Sequence, residues 1–230
     1  MGTSRGMWVG RAALALLVAV GSVHAPLTGQ GGAGDGTGRA EPSLSLLPEG
    51  PFATMHMLLE KTIFSVDVLT LDVRVDPATA DEIEAALAGA ERFDEELAVP
   101  VAEAAIRAEE IVGRIVFQRG VSLGQFLDAI DEDMQKAVEV GWLEPAVYRE
   151  VRDGLPVWFA FLEERGIHDG DRLSYHVRGD TLRTVFAAPD GRILLDQTDV
   201  GRGNVMALVG SWFAPDSSFR EKLVRSLVHS

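Results

Sequence analysis

Two aspartates and two arginines are the residues of this chain whose type and setting could do chemistry. Asp67 interrupts an alternating apolar run over residues 61–75, and Asp133 lies in a helical stretch over residues 122–140. A carboxylate set among apolar neighbours must be paired or protonated. Two carboxylates brought together push one pKa up, and such a pair suits acid–base work. The alternatives are a satisfied buried carboxylate or an edge position for Asp67, and a solvated helix face for Asp133. Arg114 and Arg183 fall in strand-like runs and are the strand cations on offer to an anionic ligand, with ordinary surface solvation as the alternative. No cysteine is present, which excludes disulfides, thiolate catalysis and Cys-ligated zinc. The five histidines, His24, His56, His168, His176 and His229, form no His-x-x-x-His pair, so no metal and no cofactor are expected.

The whole-chain numbers narrow the partners. The 230 residues have room for one sizeable domain plus appendages, and 47% hydrophobic with 24% charged residues is ordinary for a globular protein. The formal net charge of -14 argues against nucleic acid, which needs clustered Lys and Arg, and against anionic lipid headgroups. Acidity of this size serves solubility.

The N-terminus has a secretory layout. Arg5 and Arg11 precede an apolar run over residues 12–20, and Val23-His24-Ala25 offers small residues for a signal peptidase, with Pro26 just beyond. A bilayer-spanning helix needs about 20 apolar residues, so the run is short for an anchor. Residues 1–25 are read as a signal peptide, with an uncleaved anchor as the alternative. Residues 26–51, rich in Gly, Ser and Pro, are read as a disordered linker. Residues 52–230 form the domain. The expected location is periplasmic or secreted, with no stable membrane insertion after cleavage.

The positioning elements follow from periodicity. Residues 61–75 alternate with both faces largely apolar, which predicts a central strand or the second arm of a hairpin. Thr79 and Glu82 suggest a capping box opening a helix, and Pro100 suggests the start of another over residues 101–110. A short strand covers residues 114–118. Leu123, Phe126, Leu127, Ile130, Met134, Ala137 and Val138 fall at helical spacing. Pro145 starts a further helix that Gly154 and Pro156 should kink or split, ending at Gly166. Three strands follow, over residues 172–177, 181–187 and 192–198. Arg178-Gly179-Asp180 and Pro189-Asp190-Gly191 serve as hairpin turns. Helices then cover residues 204–213 and 218–228, the last with Ser218 and Glu221 as a capping box. The class is α+β, an antiparallel sheet with helices packed on one face.

That order of elements resembles the chalcone isomerase family, an open-faced sandwich. The run from Lys61 to Leu71 resembles its early strand, and Val121-Ser122-Leu123-Gly124-Gln125-Phe126 resembles the start of its first long cleft helix. Gly170-Asp171-Arg172-Leu173 and Leu208-Val209-Gly210-Ser211-Trp212-Phe213 resemble its strand pair and its penultimate helix end. The likeness covers roughly residues 55–228, and its nearest group is the exported bacterial branch. The resemblance implies a cleft between sheet and helices where an Arg, a Thr and a Tyr cyclise a chalcone. Here the Tyr position falls on Phe126 and its polar partners on Ala129 and Asp133. The Thr falls near Asp67, and the Arg among Met55, His56 and Met57.

Three functions follow as expectations. The first is non-catalytic binding of an apolar, lipid-like or fatty-acid-type small molecule, as the resemblance implies, in a cleft lined by Phe126 and Ile130, with Arg114 or Arg183 for an anionic group. The second is an isomerase or intramolecular lyase with altered residues, Asp67 and Asp133. The third is an interaction module exposing Trp158 or Trp212, although core positions suit both. Arg178-Gly179-Asp180 matches an adhesion tripeptide, but hairpin chemistry accounts for it.

Overall fold

The structure, a computed structural model, describes residues 40–61, 66–90 and 92–228, without the side chains of Lys61, Val66 and Asp67. The expected signal peptide lies outside the described residues.

Six antiparallel strands lie in sequence order: β1 (Thr54–Lys61), β2 (Val66–Val75), β3 (Glu110–Phe117), β4 (Arg172–Arg178), β5 (Thr181–Ala187) and β6 (Ile193–Val200). Helices α1 (Pro77–Ala86) and α2 (Glu95–Arg107) join β2 to β3. Helices α3 (Leu123–Glu139), α4 (Pro145–Trp158) and α5 (Leu162–Arg165) join β3 to β4. After β6 come α6 (Arg202–Val205), a π-helical segment (Met206–Gly210), α7 (Ser211–Phe213) and α8 (Arg220–Val228). The fold class is therefore α+β, with helices against one face of an antiparallel sheet.

Period-two alternation sets the layers. On β2, Leu69, Leu71, Val73 and Val75 are buried toward the helices, while Thr70, Asp72 and Arg74 face the other way half-exposed. Ile111, Ile115 and Phe117 on β3, and Leu173, Tyr175 and Val177 on β4, continue the inner face. Gly113 sits in that row because a Cβ there would lie 2.7 Å from Cη2 of Trp212. Gly179, at φ +57, makes the tight β4–β5 turn possible.

Several expectations need correcting. β2 is the second arm of a hairpin, one of the two readings expected of it, but its first arm β1 goes unmarked in the plain Met55-His56-Met57-Leu58 sequence. Asp76, not Thr79, caps α1, accepting the Thr79 amide at 3.0 Å, while the Thr79 hydroxyl donates to Asp76 at 2.9 Å. Helix α2 starts at the Asp94 cap and runs through Pro100. Helix α4 runs through Gly154 and Pro156, where proline forfeits only one hydrogen bond near the helix end. The Ser218 hydroxyl donates to Asp133 at 3.0 Å instead of capping α8.

Residues 40–51, expected in the linker, are ordered on the sheet's outer face. Glu41 accepts from Arg172 Nε at 3.1 Å and from Ser174 Oγ at 2.6 Å. Arg183 donates to the Ala40 carbonyl at 3.1 Å and Arg74 to the Leu44 carbonyl at 3.1 Å. Arg74 also pairs with Glu49. A 3-10 turn at Leu44–Leu46 places Leu44 and Leu47 over Val112 as a small separate core. Two leucines in a Ser-, Gly- and Pro-rich context sufficed, because the outer face offered an apolar spot and cations to receive them.

Candidate ligand-binding site

A cavity of about 630 Å³ lies between the inner face of the sheet and the helices α3, α4 and the segment after β6. Its floor is Leu69, Ile115, Phe117, Tyr175 and Leu195, and its roof includes Phe126, Ile130 and Met134 of α3 and Leu155 and Trp158 of α4. The Ser122 capping box, closed by Gln125, fixes where α3 begins and so where Phe126 points. The Phe126 ring stands edge-on to Phe117 at 6.0 Å and to Phe159 at 5.3 Å. These contacts lock its orientation. An apolar hollow of several hundred cubic ångströms with few polar groups is the usual form of a small-molecule site.

Phe126, Ile130, Ala129 and Asp133 all line the cavity, so α3 supplies the face that the sequence assigned to it. Trp158 also lines it, half-buried, whereas Trp212 is packed in the core. The two arginines do not reach the cavity. Arg114 is turned to the outer face, donating to Asp72 at 3.2 Å, and Arg183 lies on that same face, bound to Asp196 at 2.8 Å. Strand alternation decides this, since Ile115 and Thr184 next to them point inward. Asp67 lies on β2 with its backbone paired to Glu60, beside the irregularity at Leu59/Glu60, and its side chain is outside the described residues.

Asp133 is not a solvated residue. It is 4% exposed, and its carboxylate accepts from Lys136 Nζ at 3.0 Å and from the Ser218 hydroxyl at 3.0 Å. Burial lowers the Lys136 pKa, but hydrogen bonds and charge from Asp133 and Glu132 outweigh it, and the net shift is upward. Lys136 therefore stays charged, and Asp133 ties α3 to the segment before α8. Its carboxylate is already committed to these partners, and Phe126 has no hydroxyl with which to move a proton.

The cavity's cation is Arg119, to which no sequence pattern points. Among the described residues lining the cavity it alone carries a positive side chain. It sits between Phe117, the last residue of β3, and the cap Ser122. Among the described residues its Nε, sealed from solvent, has no hydrogen-bond partner, and no ion pair holds the side chain. A loop position has no periodicity to mark it, and only the fold brings it to the cavity. Exposed carboxylates such as Asp128 and Glu132 stand at the rim on α3, where water screens them. Among the described residues, no group of His and acidic side chains is close enough to hold a metal, and no helix is long and apolar enough to cross a membrane.

No protein-family model matches the chain. No curated protein matches it either. Among solved structures, a fatty-acid binding protein of Arabidopsis thaliana is similar with a TM-score of 0.48 and 12% sequence identity, over 76% of this chain and 89% of that one. So distant a likeness leaves ligand and activity to be argued from the chain's own residues.

Proposed function

We propose that this chain is an exported protein of the chalcone isomerase type that binds an apolar, fatty-acid-type small molecule without transforming it. The carrying observation is the apolar cavity of about 630 Å³ with Arg119, a partly buried cation unpaired among the described residues, in its wall. Apolar cavity wall that must otherwise face water is costly, on the order of 0.025 kcal/mol per Å². A buried guanidinium nitrogen without a partner adds to that cost. A ligand with an apolar body and an anionic group relieves both at once. Binding rather than catalysis is supported by Phe126 and by Asp133, whose carboxylate is taken up by Lys136 and Ser218. The secretory layout of the N-terminus supports a periplasmic or secreted location.

Native mass spectrometry of the protein purified from its exported fraction tests this. The expected result is a co-purified lipid-like molecule, lost or strongly reduced in Arg119→Gln. Losing a charge-assisted hydrogen bond should weaken palmitate binding about tenfold or more. A protein that is always empty, fails to bind palmitate and cyclises a chalcone would overturn the proposal.

A further inference from the structure

We infer that the cavity takes a ligand with two polar ends, an anion at Arg119 and a neutral hydroxyl at a row made by Tyr175, Thr184 and Gln197. An ω-hydroxylated acyl chain is that kind of molecule. The inference deepens the lipid-binding reading and rests on it.

The row follows from sheet register. Tyr175 on β4 is directly opposite Thr184 on β5, and Thr184 is opposite Gln197 on β6. Directly opposed residues have Cβ atoms about 4.5–5.5 Å apart, so the polar groups form one cluster. All of them line the cavity. Tyr175 is only 8% exposed, yet its hydroxyl has no hydrogen-bond partner among the described residues, and neither has that of Thr184. Burial raises the Tyr175 pKa well above the ordinary phenol value, so the group is a fixed donor. Gln197 spends an amide N–H on Asp199 Oδ1 at 2.8 Å and keeps its carbonyl oxygen for another donor. The site thus offers both a donor and an acceptor, which is what a hydroxyl needs.

Charge and distance separate the two ends. Asp199 lines the cavity next to Gln197 and opposes an anion there, whereas Arg119 follows Phe117 at the far end of β3. The Phe117 row lies four residues from the Tyr175 row along the strands, about 14 Å at 3.4 Å per residue. Thr184 is two strands across from β3, about 10 Å. The diagonal, about 17 Å, calls for an extended chain with apolar walls between its ends, and Ile115 and Leu195 supply those walls.

The test is calorimetric titration of the full-length mature protein with palmitate and with ω-hydroxypalmitate. The inference expects the hydroxylated acid to bind about three- to tenfold more tightly, the worth of one buried hydrogen bond. Tyr175→Phe should abolish that preference, and Thr184→Val should reduce it. Equal affinity for the two acids in the wild type overturns the inference, because the row then holds water only, while palmitate binding keeps the lipid reading intact. Failure of both acids to bind overturns the lipid reading and this inference with it.

Discussion

Along β2, neighbouring residues serve opposite kinds of surface. Leu71 and Val73 enter a largely apolar face that borders the cavity. Asp72 and Arg74 enter a face of close ion pairs. Asp72 holds both Arg114 and His56, at 3.2 and 2.7 Å, and Arg74 holds the segment around Leu44. His176 and Glu110 at 2.7 Å extend the same network. Partly exposed pairs of this kind contribute modest net energy, because water still screens them and side-chain entropy opposes them. Their value is geometric, fixing register and seating residues 40–50. The inner face has the reverse character. Its apolar burial supplies most of the stability, and its cavity is where the proposed ligand would gain its binding energy.

The comparison breaks most readily on the inner face. Phe186, fully buried against Phe117 and Phe161, should cost about 3–5 kcal/mol when changed to Ala, read as a fall in the denaturant midpoint. A loss below 1 kcal/mol would mean that the inner face is not the stabilising one. Gly113→Ala pushes a methyl group against Trp212 and should cost about 1–3 kcal/mol, read in the same way.

The seam between the faces gives a smaller effect with a pH signature. Asp76, just past β2, accepts the amides of Thr79, Glu109 and Glu110 at 3.0, 3.1 and 3.2 Å. Burial alone would raise its pKa, but these bonds outweigh burial and lower it below 3.8. Its stabilisation is therefore present above the unfolded-state value and is lost as pH falls through the lower folded-state value. Asp76→Ala should cost about 1 kcal/mol at neutral pH. The wild type and variant should converge in acid, in denaturation curves taken across that range. The smallest effect belongs to the outer face. Glu41→Gln should change stability by about 0.5 kcal/mol or less, while speeding proteolytic cutting within residues 40–50. A large stability loss there would erase the distinction between the faces.

How legible these faces were from sequence depended on periodicity. The strands β4 to β6 and helix α3 were readable within a residue or two, because alternation, Gly-containing turns and a Ser cap all agreed. Asp133 was harder to place. Three acids in a row look solvated, although Asp133 falls three residues after Ile130 and seven after Phe126, on their stripe. Pro100 conceals the start of α2, because proline at a first turn is a stronger habit than proline in an interior and outweighs the Asp94 cap with Glu95 and Glu96. Strand β1 carries Met55 and Met57, residues of weak strand preference, and no alternation marks it in the sequence. Arg114 and Arg183 were placed on strands correctly but on the wrong side, an error of one residue in phase. Arg119 had no pattern to read at all, since loop residues meet a cavity only through tertiary folding.

The seating of residues 40–50 has a practical side. A shortened version of the protein beginning at Phe52, where the sequence suggests the domain starts, would leave Val112 open to water. It would also take the Glu41 carboxylate away from Arg172 and from the buried Ser174. Such a truncation would still own every strand and helix, yet it would present a greasy, cation-rich sheet surface that invites self-association. Beginning at Ala40 or earlier keeps that surface covered.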